Sequence, residues 1–198
     1  MILLACAVGG ELGFWEDRSD VTTLVTGVGP VEASCALAAA LRERDYELVI
    51  NAGLAGAFDG ACGIGDGVVV SEDRLELDLE DGTPLKLPRG ERTVQTAHSD
   101  SVLAERLAAR GFPLVRGVTV CRVTSSETTA RRLAAAVGAQ VESMEGFAAL
   151  RAAERAGVPA IELRGISNRC GDRASSGWDF AAGVAGLQRV TNALFELI

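Results

Sequence analysis

The 198-residue chain has a single histidine, His98, and only five cysteines, and these shortages remove several chemistries at once. A serine–histidine–acid triad would have to use His98. Yet "TAHSDS" reads as a helix start with serine or aspartate as cap, which leaves His98 at the surface or in the cap. The cysteines at 6, 35, 62, 121 and 170 form no CxxC pair and are odd in number. That spacing suits neither a zinc site nor a disulfide framework, so no metal is expected and the thiols are expected reduced, as in a cytoplasm. No apolar run approaches the ~20 residues of a membrane-spanning helix. "MILLACAVGG" lacks a basic leader region and reads as a buried first strand. Excess positive charge is missing too. The formal net charge of −8 argues against nucleic acid or an anionic membrane surface as the main partner, although a local pocket can oppose the global sign.

What is present is ordinary for a soluble globular protein: 48% hydrophobic and 23% charged residues, enough chain for one domain over residues 1–198. Short apolar runs at 2–8, 22–28, 47–53, 66–77, 116–125 and 158–167 read as strands. Helical patterns follow Pro30 and cover about 99–110, 127–137, 144–156 and 179–197. The alternation predicts an α/β fold, with a central, mostly parallel, twisted sheet flanked by helices. Residues 71–96 break the rhythm around "EDGTP" and read as a hairpin or an edge excursion.

Polar groups then gather at strand ends and helix starts. Glu11 follows the first strand directly. The glycine-rich stretch 51–67, with Gly53 as its candidate contact, either cradles a ligand with backbone amides or forms a tight turn. It has neither the lysine and hydroxyl of a P-loop nor the dinucleotide glycine spacing. In "GAQVESMEGFAAL" (138–150), Glu145 falls on the side of its helix that carries Ala149, Ala153 and Ala156, opposite Arg151, Glu154 and Arg155. It is either a first-turn glutamate favoured by the helix dipole or an inward-pointing ligand for hydroxyl donors. Glu142 is expected to cap or to face solvent. "ELRGISNRCGDR" (162–173) ends the last strand with Ser167, Asn168, Arg169, Asp172 and Arg173, as loop caps or site residues.

These segments, in this order, resemble the nucleoside phosphorylase and nucleosidase superfamily: "AVGGE", "TGVGPVEAS", "NAGLAGAF", "GIGDGVVVSED", "VESMEGFAAL" and "LRGISN". Within it they are most similar to the futalosine hydrolases, nucleosidases of menaquinone biosynthesis. That resemblance rests on an AVxxE start, a Glu-x-Met-Glu-Gly element, and Ile-Ser-Asn followed by arginine and tryptophan, here Arg173 and Trp178. The resemblance implies a nucleoside phosphorylase-like fold and N-glycosidic hydrolysis without metal or organic cofactor. A purine nucleoside is the implied partner, in a homo-oligomer. By the same resemblance Glu145 grips the ribose diol, Met144 packs on the sugar, Asn168 bonds the base near N7, and Glu11 activates water. The segment 123–132 is implied in the base pocket, with Thr124 as its candidate. Arg173 would either meet a 5′ carboxylate or form a surface ion pair. Asparagine at 168 suits a 6-oxopurine, because its amide both donates and accepts. Relatives cleaving methylthioadenosine and adenosylhomocysteine usually carry aspartate there. "LVINAGLAG" offers no phosphate-binding arginine of the kind some phosphorylases carry, so water is the implied acceptor. The rival readings are such an adenine nucleosidase, a phosphorylase, or a catalytically silent nucleoside-binding module. Ser143, where many relatives have asparagine, and the "RCGDRASSGW" loop depart from the pattern.

Overall fold

In β1 (Ile2–Cys6), Leu3 and Ala5 point to one side and Leu4 and Cys6 to the other, and all four are buried. A strand covered on both faces must be apolar throughout, which is why "ILLAC" shows no alternation. The computed structural model describes residues 1–58, 60–172, 174 and 177–198. It places β1 beside β2 (Val21–Val25) and β3 (Leu48–Ala57), both parallel to it. Beyond β3 the sheet continues through β7 (Val141–Ser143), β6 (Leu114–Thr119), β4 (Gly67–Leu75) and β5 (Thr96–His98). The last strand, β8 (Ala160–Arg169), pairs parallel with β3 and antiparallel with β4, closing β3, β7, β6, β4 and β8 into a ring. The sheet is therefore mixed with a parallel majority.

Helices cover both sides. On one, α1 (Pro30–Glu43) and α4 (Gly146–Ala156) bury Leu37, Phe147, Leu150 and Ala153 against Leu3, Ala5 and Val49. On the other, α2 (Ser101–Ala108) and α5 (Phe180–Phe195) bury Leu107, Leu187, Val190 and Leu194 against Leu4, Ile50 and Leu163. The α3 helix (Glu127–Val137) covers Val118 and Val120 through Ala130 and Leu133. Pro30 opens α1 as expected. Asp100, not His98, caps α2 by accepting the Leu103 N–H at 2.9 Å. His98 is exposed beside Glu72. The α5 helix lies so close to β8 that a Cβ on Gly165 would stand 1.9 Å from the Gly183 carbonyl oxygen. Gly165 is restricted to glycine by that approach.

One expectation about this framework changes, and one alternative is resolved. The glycine-rich stretch is strand as far as Ala57 rather than loop from residue 54 on. Segment 71–96 is an edge excursion: β4 runs out, a wide loop turns at Asp81-Gly82, and β5 returns antiparallel to β4.

One polar cluster runs through the interior. Arg164, 1% exposed, donates from Nε to Glu162 at 2.8 Å and from a terminal nitrogen to Asn51. Asp73 and Glu162 are fully buried, and their carboxyl groups meet at Gly146, where a Cβ would stand 2.3 Å from a Glu162 oxygen and 2.5 Å from an Asp73 oxygen. Thr119 donates to the other Asp73 oxygen at 2.7 Å and accepts the Phe147 N–H at 2.8 Å, capping α4 from beneath. Asp73 Oδ2 and Glu162 Oε2 meet no donor, a setting that favours the neutral form of a carboxyl. Burial, then the charge of Glu162, holds the Asp73 pKa well above the usual carboxylate value, and burial also raises Glu162.

A folded-state pKa above the unfolded one stabilises the fold at acid pH, and that stability is lost as pH rises through the folded pKa. Asp73→Asn supplies the donor without a titrating proton. Its thermal midpoint, followed by circular dichroism, is expected to gain on the wild type between pH 5 and pH 8, above the ordinary carboxylate range of about 4. A difference that stays flat over that interval removes the raised Asp73 pKa from the stability of the fold.

Candidate active site

The carboxyl ends of β1, β3, β7 and β8 open into one cavity of about 430 Å³. Strand ends are where backbone amides and polar loops can meet a ligand while the apolar strand bodies stay sealed. Glu11, Met144, Glu145 and Asn168, given roles by the resemblance, line it, as do Ser167 and Trp178.

Glu11 sits on a short 3₁₀ turn, Gly9–Leu12, that follows β1. Its carboxyl folds back to accept the N–H groups of Ala7 at 2.9 Å and Val8 at 3.1 Å, and that of Leu54 in β3 at 2.9 Å. With 8% exposure it reaches the cavity from a position locked by two strands. Glu145 is the N-cap residue of α4 rather than part of its first turn, and is 5% exposed. One of its oxygens accepts the Gly29 N–H at 2.8 Å, which ties the start of α1 to the start of α4. Its helix packs as the alanine pattern required for Ala149 and Ala153, both fully buried, whereas Ala156 is exposed. Ser143 accepts the Gly146 N–H at 3.3 Å, so the residue that departs from the family pattern caps α4.

Asn168 lies near the end of β8. Ser167 donates its hydroxyl to the Asn168 amide oxygen at 2.9 Å, and the amide nitrogen donates to the Arg169 carbonyl at 3.1 Å. The amide is thereby held with its nitrogen over Gly56, where a Cβ would come within 2.8 Å of it.

The remaining candidates are placed differently. Gly53 does not line the cavity: it lies under it, where a Cβ would stand 2.3 Å from the Arg164 guanidinium and 3.1 Å from Glu11 Oε1. Its lack of a side chain admits the arginine, and Leu54, Ala55 and Gly56 form the wall instead. Thr124 is buried behind the wall, and Val123 faces the cavity in its place. Glu142, expected at the surface, is 6% exposed and lines the cavity. It is held there by the Thr124 N–H at 2.9 Å and by the Thr124 hydroxyl. Arg173 lies outside the described residues.

Arg164 is the principal group that motif reading passed over. Its signal was present: Glu162 and Arg164 stand two apart in the otherwise apolar "AIELRGI" and must share a face of the strand. Burial alone would lower its pKa, but Glu162, Glu145 and Glu11 outweigh that and raise it. One fixed cation therefore lies beneath both catalytic candidates. Cys6 is different: burial, then Glu11, pushes its thiol up to about 12, so it stays protonated and is no nucleophile. The outer wall is apolar, formed by Val8, Val28, Trp178, Phe180 and Val184, with the Trp178 and Phe180 rings 5.3 Å apart. No helix among the described residues is long and apolar enough to cross a membrane.

The chain has relatives among curated proteins. It is 37% identical over 179 residues to a futalosine hydrolase of Thermus thermophilus, spanning 86% of this chain and 79% of that one. It is 38% identical over 181 residues to a futalosine hydrolase of Acidothermus cellulolyticus, spanning 86% and 73%. Among solved structures, a 5′-methylthioadenosine/S-adenosylhomocysteine nucleosidase from S. pneumoniae, bound to a transition-state inhibitor, superposes with a TM-score of 0.82 at 16% identity, covering 98% of each chain. That likeness establishes the fold. A family model described as the Phosphorylase superfamily matches residues 8–198, and with these relatives it shows that the chain belongs to that superfamily.

Proposed function

We propose that this protein hydrolyses the N-glycosidic bond of futalosine, releasing hypoxanthine and dehypoxanthine futalosine, a step of menaquinone biosynthesis. The observation that carries the reading is the convergence of Glu11, Glu145 and Asn168, from distant parts of the chain, on one cavity. The futalosine hydrolases of Thermus and Acidothermus supply the substrate.

Breaking the bond builds positive charge on the ribose and negative charge on the leaving purine. Groups preorganised at both ends stabilise that separation. Glu145, anchored by Gly29, accepts hydrogen bonds from the ribose hydroxyls, while Met144 packs on the sugar. Glu11, fixed by its three amide donors, orients a water molecule and takes its proton. Asn168 donates to the base as negative charge grows on it. Arg164, beneath both glutamates, offsets their mutual repulsion.

Water rather than phosphate is the acceptor in this reading. Glu11, Glu142 and Glu145 all border the cavity, a setting that disfavours a phosphate dianion. Exposed Val25, Val28 and Val31 near its mouth suit a homo-oligomer, in which a second copy would cover them. A cytoplasmic location goes with the pathway.

Chromatography of futalosine incubated with micromolar enzyme is expected to show hypoxanthine released at the same rate with and without phosphate. No hypoxanthine overturns the substrate; dependence on phosphate makes the protein a phosphorylase; faster release of adenine from methylthioadenosine favours the adenine nucleosidase. Glu145→Gln is expected to lower kcat by ~10²-fold or more with a smaller change in KM, since its bonds to the ribose strengthen in the transition state. A change below about 3-fold removes Glu145 from the mechanism. Glu11→Gln is expected to lower kcat by a similar ~10²-fold, within the range of a lost general base.

A further inference from the structure

Glu142 is the one acid on the cavity wall that the reaction above does not use. Its place in the sheet gives it a partner. On β7, Glu142 pairs with Gly56 of β3, and Gly56 pairs on its other side with Asn168 of β8. Cross-strand partners project to the same face of a sheet. Gly56 has no side chain, and the Asn168 amide nitrogen and Cys170 Sγ fill the space above it, while Glu142 and Asn168 both reach the cavity wall. Neighbouring strands lie about 4.8 Å apart, which sets the two Cα atoms at roughly 10 Å, close enough for both side chains to meet one flat heterocycle held in the cavity.

The hydrogen bonding of Glu142 is half complete. One oxygen accepts the Thr124 N–H and the other the Thr124 hydroxyl, so each keeps a lone pair. Among the described residues no cation relieves its burial: desolvation raises its pKa, the Thr124 bonds oppose this, and the charge of Glu76 raises it further. A buried carboxyl in that state gains from any ligand that brings an N–H. A 6-oxopurine carries N1–H beside the acceptor O6, whereas a 6-aminopurine has a bare N1 acceptor.

We propose that Glu142 is the specificity-determining residue for the base, accepting the N1–H of a 6-oxopurine while the Asn168 amide meets the O6 and N7 edge. Thr124 holds the carboxyl in position. A 6-aminopurine in the same pose sets its N1 lone pair against a carboxylate lone pair and is rejected. The proposal rests on the reading that the cavity takes a purine nucleoside, and it names the class of purine.

Titration calorimetry of the whole chain with free bases tests this apart from hydrolysis. The wild type is expected to bind hypoxanthine at least ~10-fold more tightly than adenine or 1-methylhypoxanthine, which lacks the N1–H. Glu142→Gln is expected to weaken hypoxanthine by ~10-fold or more and to leave adenine unchanged or bound more tightly, because the glutamine amide can turn its NH₂ to a bare N1. Equal weakening of both bases overturns the proposal and leaves Glu142 a support for Thr124; no change for either also overturns it. Should the variant not fold, equal binding of hypoxanthine and 1-methylhypoxanthine by the wild type overturns it. A wild type that prefers hypoxanthine but leaves futalosine intact supports Glu142 and overturns the substrate reading.

Discussion

A guanidinium enclosed at 1% exposure needs counter-charge, and the way Arg164 obtains it organises the molecule around the cavity. Glu162 faces it directly, and burial beside Glu162 raises the Asp73 pKa, which disfavours a second negative charge in the inner group. Losing one member of such a buried pair typically costs about 3–5 kcal/mol, because the partner is left uncompensated. Thr119 extends the cluster to the start of α4, where Glu145 stands. Gly53 opens the space through which the arginine reaches the floor beneath Glu11. One buried cation thus lies beneath two cavity-lining carboxyls and offsets their mutual repulsion, while backbone amides hold each of them in place.

The sheet's register carries the rest. In β3, side chains are removed where other strands must reach over it: Gly53 admits Arg164, and Gly56 admits Asn168. The bulge between Ala55 and Gly56 changes the pairing with β8 so that Asn168, rather than Ser167, comes opposite Gly56. Ser167 is then free to donate to the Asn168 amide and set its orientation. Across the same glycine β7 brings Glu142. A cavity floored by glycine and walled by valine, tryptophan and phenylalanine is apolar except at a few fixed points, and those points decide what it can recognise.

Much of this was legible in the residues. The apolar runs located the long strands because a sheet covered on both faces demands them, as in "ILLAC" and "LVINA". Pro30 and Asp100 marked helix starts through local rules of capping and fixed φ. Strand β7 was not legible: "VES" has no apolar run, and its three residues are strand only because β3 and β6 hold them from both sides. Glu142 was misread for the same reason. A glutamate ahead of a helix looks solvated until a neighbouring strand buries it. Thr124 and Gly53 were placed on the ligand because they belong to the right segments, yet each supports a group that reaches further in.

By itself the sequence determined the α/β alternation and, through the family its ordered segments resemble, pointed to Glu11, Met144, Glu145 and Asn168, which line one cavity. The alternation follows from local periodicity and capping and the grouping from the motifs, none of which needs a fold. Only the tertiary structure decided which carboxyls are buried, which have raised pKa values, and what each faces. Those outcomes depend on strand register and on desolvation. Both are set by residues far apart in the chain, such as Gly56 beside Glu142 and Asn168, or Asp73 against Glu162.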